Sequence, residues 1–462
     1  MNRSLANLPG VRLRVAIAVV ALTPVIRAQV WTGQTPREPD PTNVLIVVAD
    51  DVGVDMIGAW GLSPDAPPTP TIDNLAFNGV RFTRAYSQPL CSPTRATLMT
   101  GRYGFRTQIG TLVYPYDPTT FGMSLSEVTF AEALGAGAGA SIATSAIGKW
   151  HLGSAATGGA SNPNLQGFEW FSGTLENLGT QNYYAHWKFV NGELTVSHTY
   201  ATTEQVDDAL ARIQAMPEPW CLYLAFNAPH APVHVPPANL HTYVLSGPPN
   251  QTAGLHFRAA LQALDTELGR LLGSMPPAVL ANTTILFLGD NGTPAHMVTP
   301  PFDPDQAKGS LYEGGVHVPL IAWGKHVESP GRVCDALVNT VDVFSTVLDL
   351  YRDQVEIVSP KGLTVDGRSL MPYLLDPKQP GQREWVYADI FEPNGPGPYT
   401  RFERMVRDKR WKLIRRAGVA DELFDLGFEL QEGDNLLAQA LNDEQLEAYA
   451  RLSQTLDEIP LN

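Results

Sequence analysis

Asn43-Val-Leu-Ile-Val-Val-Ala-Asp-Asp-Val-Gly53 is an apolar run that stops on two adjacent aspartates, Asp50 and Asp51. No polar residue interrupts Val44 to Ala49, whereas a strand with one wet face alternates polar and apolar. The run reads as a strand covered on both faces, as in parallel α/β sheets. Three more segments share the form. Thr283-T-I-L-F-L-G-D-N-G ends on Asp290 and Asn291, Trp220-C-L-Y-L-A-F-N-A-P-H on His230, and Ser141-I-A-T-S-A-I-G-K-W-H on Lys149 and His151. In open α/β sheets functional groups gather at the carboxyl ends of strands. Four polar endings of complementary type point to one shared site.

Between these strands the spacing predicts amphipathic helices over Thr71–Phe77, Leu125–Leu134, Thr203–Met216, Leu255–Met275 and Val341–Leu350. Strands alternating with helices imply an α/β fold with a doubly wound, mostly parallel sheet. The character changes after Asp366-G-R-S-L-M-P-Y-L. Trp385–Ile390 and Arg404–Arg415 read as polar-faced strands, and a charged helix over Asp443–Asp457 closes the chain. That is the pattern of a small antiparallel α+β subdomain. The expected division is an export signal over 1–28, a catalytic α/β domain over 29–375 and a small subdomain over 376–462.

The export signal rests on Arg3, Arg12 and Arg14 ahead of an apolar run from Val15 to Ile26, with Ala28 as a small cleavage residue. The run is short for a membrane span, so an uncleaved anchor is the weaker alternative. An exported, periplasmic or secreted protein without stable membrane insertion is expected. A net charge of -15, from 47 acids and 32 bases, argues against nucleic acid as partner. The cysteines Cys91, Cys221 and Cys334 cannot all pair; a Cys221–Cys334 bridge stays open.

Cys91 opens the segment Cys91-S-P-T-R-A-T-L-M-T-G-R102. Ser92 reads as an N-cap, Pro93 as the first helical residue and Gly101 as the stop. Cys91 then sits at a positive helix mouth with Arg95 one turn further in. It is either a thiolate nucleophile or a small buried hydrophobe. Asp50, Asp51, Asp290 and Asn291 offer hard oxygen donors, a set suited to Ca²⁺, with Mg²⁺ as the other fitting cation. Single strand-end Asp and Asn residues often only begin turns. Adjacent carboxylates, however, repel by several kcal/mol at an effective dielectric of about 20, and a divalent cation offsets that. Lys149, His151, His230 and Lys308 add cationic or proton-carrying groups. With Arg95 and the metal they would form a pocket for a tetrahedral oxyanion ester, and phosphate and sulfate both answer to that description. Glycines beside Lys149 and Lys308 are expected to let a ligand approach the backbone.

The segment from Cys91 to Arg102 resembles the sulfatase signature Cys-x-Pro-x-Arg followed by Thr-Gly-Arg. Around it, in the family's order, stand Asp50-Asp51-V-G, Thr69-P-T-I-D-N-L, Gly148-K-W-H-L-G153, Ala228-P-H-A-P, Gly289-D-N-G, Lys308-G-S-L-Y-E-G-G-V-H-V-P, Arg410-W-K-L-I and Glu422-L-F-D-L. Three positions depart from the pattern. Ser141-Ile142-Ala143-Thr144 replaces a usual Gly-Tyr opening, His317 stands where Arg is usual, and Asn177 is the nearest match to a pocket serine of some relatives.

The resemblance implies an alkaline phosphatase-like fold: a large, mostly parallel mixed sheet with helices on both faces, followed by a small C-terminal α+β subdomain carrying an antiparallel sheet. It also implies that Cys91 is oxidised to formylglycine by a formylglycine-generating or sulfatase-maturating enzyme, and that the hydrated aldehyde attacks sulfur. Metal ligands are then Asp50, Asp51, residue 91, Asp290 and Asn291. Arg95 supports the nucleophile, while Lys149, Lys308, His230 and Asn177 contact substrate. Lys308 or His230 protonates the leaving oxygen, and His151 is the base. The expected substrate is a sulfated small molecule or carbohydrate, with Gln181-N-Y-Y-A-H-W and Phe391-E-P-N-G-P-G-P-Y as rims. The alternatives are a phosphonate monoester or phosphodiester hydrolase on the same scaffold, and an inactive scaffold binding metal and sulfated glycan.

Overall fold

The computed structural model describes residues 42–135, 142–179, 182–353, 362–427 and 430–460. The expected export segment, Gln181 and most of the small-residue tract after Gly135 lie outside the described residues. The run at Asn43 forms strand β1 (Asn43–Ala49), buried along its whole length. Val44, Ile46 and Val48 enter one hydrophobic core, while Leu45, Val47 and Ala49 enter another. Two-sided burial is why the sequence shows no alternation.

Nine further strands complete the sheet: Val80–Phe82 (β2), Ala143–Lys149 (β3), Trp170–Thr174 (β4), His186–Val190 (β5), Glu193–Ser197 (β6), Trp220–Ala225 (β7), Thr283–Gly289 (β8), Leu320–Gly324 (β9) and Arg332–Cys334 (β10). Their order is β10-β2-β9-β8-β1-β7-β3-β4-β5-β6. The central strands β8, β1, β7, β3 and β4 run parallel, and antiparallel strands flank them on both sides.

Helices α1 (Pro70–Phe77), α2 (Cys91–Thr100), α3 (Ala201–Ala215), α4 (Ala253–Ser274) and α5 (Val341–Tyr351) cover the sheet. α2 and α5 contribute Leu98, Met99, Val343 and Phe344 to one core. α1, α3 and α4 contribute Leu75, Val206 and Leu264 to the other. In α4 the buried residues Phe257, Leu261, Leu264, Leu268 and Leu271 recur every three or four positions, one stripe of a helix.

The second sheet is antiparallel, in the order Val386–Glu392 (β11), Arg401–Arg407 (β12), Trp411–Arg416 (β13) and Glu422–Asp425 (β14). The helix α6 (Asp443–Glu458) lays Ala448, Leu452 and Leu456 on its Val406–Leu413 face. The other face shares a core with Tyr86, from a short strand paired with Val338–Asn339, and with Leu311 and Val316.

Several expectations need correction. The stretch read as one strand over Arg404–Arg415 is two. Asp408 Oδ1 accepts from the backbone N–H of Arg410 at 2.7 Å and of Trp411 at 2.6 Å, which reverses the chain. The helix expected from Leu125 begins at Phe130. There Thr129 and Glu132 exchange hydrogen bonds of 3.0 and 3.2 Å in a capping box. Ser92 does not cap α2, whose first residue is Cys91; its hydroxyl accepts from Val113 N–H at 3.0 Å. Gly101 does end α2, at φ 67. Cys221 and Cys334 are both free. They lie on β7 and β10, five strand spacings apart, roughly 24 Å at about 4.8 Å each, far beyond disulfide reach.

Candidate active site

Four neighbouring parallel strands, β8, β1, β7 and β3, end along one edge of the sheet. Ala49 pairs with Gly289, and Gly148 with Ala225, so the residues following each strand emerge side by side. Asp50 and Asp51 follow β1, Asp290 and Asn291 follow β8, the His230 loop follows β7, and Lys149 with His151 close β3. Asp51 and His151 have φ of 68 and 63, the left-handed region that most side chains avoid. That turn swings each side chain off the line of its strand. Gly148 serves packing rather than ligand approach. A Cβ there would lie 1.9 Å from the Ala225 carbonyl oxygen, so its expected role is corrected.

Helix α2 presents Cys91 to this edge. Its Sγ lies 3.5 Å from Asp50 Oδ1, 4.0 Å from Asp51 Oδ1 and 3.5 Å from Lys308 Nζ. Burial pushes the thiol pKa well up, with Asp290 and Asp50 adding to the effect and Lys149 and Lys308 opposing it. The helix mouth therefore does not make Cys91 a thiolate. Arg95 is fully buried one turn on. It donates to Asp290 Oδ2 at 2.8 Å and to the Lys149 carbonyl at 2.8 Å, with the Tyr223 hydroxyl 3.4 Å away.

The carboxylates are held by main chain and cations together. Asp290 Oδ1 accepts from the Asp51 N–H at 2.9 Å, Lys149 Nζ donates to Asp50 at 2.5 Å, and Lys308 Nζ donates to Asp51. Burial alone would raise both Asp50 and Asp51. Lys149, His230 and Arg95 around the first, and Lys308, His230 and Lys149 around the second, outweigh it and hold both below the usual range. His230 Nε2 is 3.6 Å from Asp51 Oδ2, and its Nδ1 is 2.8 Å from the Ala231 carbonyl. Lys308 and His230 keep 14% and 17% of their side chains exposed, whereas Lys149 and Arg95 keep none, so the pocket opens past the first two. His151 is buried, and burial followed by Lys149, Arg95, His230 and Lys308 keeps its pKa far below the normal imidazole value. Its Nδ1 has no hydrogen-bond partner.

One ligand atom each from Asp50, Asp51, Cys91 and His230 lies within 4.8 Å of the others, which can hold a metal ion. His230 stands in this group beside three of the expected ligands, while the expected Asp290, its oxygens taken up by the Asp51 N–H and by Arg95, is not part of it. Asn291 donates to Asp51 Oδ1 at 2.9 Å, leaving its own buried Oδ1 without a partner. Three carboxylates and an orphaned amide oxygen are hard donors, and they fit a Ca²⁺-type cation. Asn177 follows β4, two residues beyond Leu175, whose carbonyl accepts from His151 N–H at 3.0 Å; its Oδ1 is buried and unpartnered.

The expected rims divide. Trp187 is 45% exposed and meets Tyr116 edge to face at 5.9 Å. Tyr116 lies within electrostatic reach of Glu176, and Glu176 of Lys149. Phe391 is instead buried against Tyr399 at 4.8 Å, and Asn394 Oδ1 accepts from the N–H groups of Gly110 and Thr111. That segment anchors its own loop. Arg401, beyond it, reaches the Gly309 carbonyl at 3.4 Å.

Sequence reading missed Asp55, whose Oδ1 accepts from Thr293 Oγ1 at 2.7 Å while the Thr293 carbonyl accepts from Lys308 N–H at 3.0 Å. It also missed Tyr223 and Tyr116. No local pattern marks such partners, which meet only across the fold.

Comparison with known proteins places these features. Residues 42–353 match the Sulfatase family model, and residues 306–460 match the model for the C-terminal part of N-sulphoglucosamine sulphohydrolase. The chain is 31% identical to N-acetylgalactosamine-6-sulfatase of Sus scrofa over 372 residues, covering 73% of this chain and 66% of that protein, just under two thirds of its length. It is 30% identical over 416 residues to the uncharacterized sulfatase YdeN of Escherichia coli K12, covering 82% and 71%. Among solved structures, Ps i-CgsB in complex with k-i-k-neocarrahexaose superposes with a TM-score of 0.75 at 24% identity, covering 90% of this chain and 92% of that one.

Proposed function

This chain belongs to the sulfatase family, and from that premise we propose that it hydrolyses a carbohydrate sulfate ester to an alcohol and inorganic sulfate. The observation carrying the proposal is the convergence of Asp50, Asp51 and Lys308, from separate chain segments, on the side chain at position 91, with Lys149 bonded to Asp50 and Arg95 one turn along the same helix bonded to Asp290. The porcine relative's name and the neocarrahexaose bound to the solved structure support a sugar as the alcohol.

The residues that would hold the divalent cation, Ca²⁺ by preference, are Asp50, Asp51, Asp290, Asn291 and residue 91. When bound, that cation supplies Lewis acidity and positive charge. Oxidised to formylglycine by a maturating enzyme, residue 91 supplies the nucleophilic oxygen in hydrated form. The protein's own residues do the rest. Lys149 and Lys308 grip sulfuryl oxygens, with Asn177 as a neutral contact. Arg95 is anchored on Asp290 and the Lys149 carbonyl, so its charge faces position 91 without moving. Three carboxylates balance Arg95, Lys149 and Lys308, so a divalent cation leaves the pocket positive toward an anionic ester. This is how an acidic protein hosts an anion.

Proton traffic divides between two imidazoles. His230 has its Nδ1 turned to the Ala231 carbonyl and its Nε2 toward the pocket, a placement suited to protonating the leaving oxygen. Lys308 is less suited, because Asp51 and the other charges overcome burial and raise its pKa. His151, held neutral by burial and cations, is the base that restores the aldehyde. The reading extends to export through residues 1–28 into the periplasm or medium, a catalytic domain over 29–375 and a subdomain over 376–462.

The test is release of inorganic sulfate from a panel of sulfated mono- and oligosaccharides and 4-nitrophenyl sulfate, using protein whose position-91 aldehyde is verified by mass spectrometry. Turnover of a sugar sulfate is expected. Faster hydrolysis of a phenyl phosphonate ester, or no turnover by fully converted, calcium-loaded protein, overturns the proposal.

A further inference from the structure

The loop carrying His230 runs from Asn227 to Val235 without regular secondary structure beyond a 3.1 Å turn bond from the His230 N–H to the Asn227 carbonyl, so its carbonyls also draw on side chains from elsewhere. One dipeptide in the turn between β4 and β5 supplies three. The Tyr183 hydroxyl lies 2.7 Å from the Asn227 carbonyl and 2.7 Å from the His230 carbonyl, and the Tyr184 hydroxyl donates to the Val235 carbonyl at 2.8 Å. Tyr183 is fully buried, and its ring stacks on His234 of the same loop at 3.7 Å and 22°. His234 is gripped from its other side by the Tyr200 hydroxyl at 3.0 Å. The near end of the loop is fixed as well. Asn227 takes a 2.6 Å hydrogen bond from Gln205 and gives one of 3.0 Å to Thr174.

We propose that Tyr183 is a positioning residue for the sulfatase reaction, setting the His230 imidazole at the height where it meets the leaving-group oxygen. The inference rests on the reading of His230 given above and goes beyond it. One hydroxyl proton serves two carbonyls, so the oxygen must sit between them. Together with the 3.1 Å bond from the His230 N–H to the Asn227 carbonyl, that ties both carbonyls to one point and helps fix the direction in which the His230 side chain leaves the backbone. The ring on His234 stops the loop from pivoting about that point. Proton transfer needs hydrogen-bond distance, and a misplacement of about 1 Å costs on the order of 100-fold. A tyrosine that touches neither substrate nor metal can therefore govern turnover.

The experiment compares wild type, Y183F, H230A and Y183F/H230A, all with verified aldehyde and calcium, on N-acetylgalactosamine 6-sulfate and on 4-nitrophenyl sulfate. A sugar alkoxide needs a proton to leave, whereas 4-nitrophenolate leaves without one. Y183F is expected to lower kcat on the sugar sulfate about tenfold with KM nearly unchanged, to leave 4-nitrophenyl sulfate turnover almost intact, and to add nothing in the H230A background. Y184F, whose lost bond lies five residues from His230, is expected to show no such split. Equal losses on both substrates, or a Y183F effect that persists without His230, overturn the proposal. So does a crystal structure of Y183F in which the His230 loop keeps its place, a readout independent of turnover. Wild type that releases sulfate from no member of the sulfated panel named above removes the sulfatase reading itself, a failure recognisably different from the other three.

Discussion

Two of the buried charge clusters among the described residues behave differently. At the junction of the two sheets, Glu313 and Glu432 face Arg407 and Lys412. Lys412 donates to Glu313 at 3.0 Å and to Glu432 at 2.6 Å, Arg407 donates to Glu313 at 2.5 Å, and Glu432 accepts from the Glu313 N–H at 2.8 Å. The Tyr86 hydroxyl completes the Glu313 carboxylate at 3.0 Å. Two acids meet two bases, and every carboxylate oxygen has a donor. The cluster at the strand ends also balances three acids against three bases, yet it leaves Asn291 Oδ1 and His151 Nδ1 buried without partners and two of its side chains partly open. Burial and pairing are common to both. What separates the two is access: Lys308 and His230 open the strand-end cluster to the surface, whereas the junction, which has an unpartnered buried atom of its own in His317 Nδ1, keeps its ion pairs closed off.

The most drastic way to break the comparison is to remove residue 91. C91A is expected to abolish sulfate release, by at least about 10⁴-fold, while the melting temperature holds, because Asp50 keeps Lys149 and Asp51 keeps Lys308 when the long thiol contacts are lost. A C91A protein that unfolds would make the strand-end cluster structural after all. At the junction the reverse is expected. K412M leaves Glu432 buried without a cation and Glu313 with Arg407 alone, and should destabilise by about 3–5 kcal/mol in urea titrations, with kcat of the folded fraction unchanged.

Acid sharpens the contrast. Burial lowers His317 from 6.5 to about 4, Arg407 and Lys412 add to this, and Glu313 opposes. A depressed histidine contributes stability that is complete above pH 6.5 and lost as pH falls toward 4, since the unfolded chain then binds the proton first. At 1.36 kcal/mol per unit the loss is at most about 3 kcal/mol, and H317Q should flatten the stability profile over that interval. An unchanged slope would exclude His317 as its source. At the strand ends, N291A is expected to weaken calcium binding at least about tenfold by calorimetry, with little change in melting temperature. The smallest effect is W187A, which should raise KM about threefold for a sugar sulfate and leave that for 4-nitrophenyl sulfate alone. Equal shifts would remove Trp187 from the sugar rim.

How far each feature was legible follows from the range of the forces behind it. Asp50, Asp51, Asp290, Asn291, Lys149 and His230 could be read as one group because each ends an apolar run, and two-sided burial leaves that trace in any local window. Gly101 was legible as a helix stop for the same local reason. Ser92 was misread: its hydroxyl goes to Val113, a partner twenty-one residues away, instead of the adjacent helix turn. Phe391 looked like rim and proved to be packing, since an aromatic in a loop gives no local sign of which side it faces.

From the sequence by itself came the strands, their two-faced burial and the chemical types gathered at their ends, because hydrophobic period and turn chemistry act between near neighbours. Only the tertiary structure decided that burial raises the Cys91 thiol pKa, that His317 belongs to a buried ion cluster, and that Tyr183 underlies His230. Each of those depends on groups tens to hundreds of residues apart, whose desolvation and hydrogen bonding exist only once the chain has brought them together.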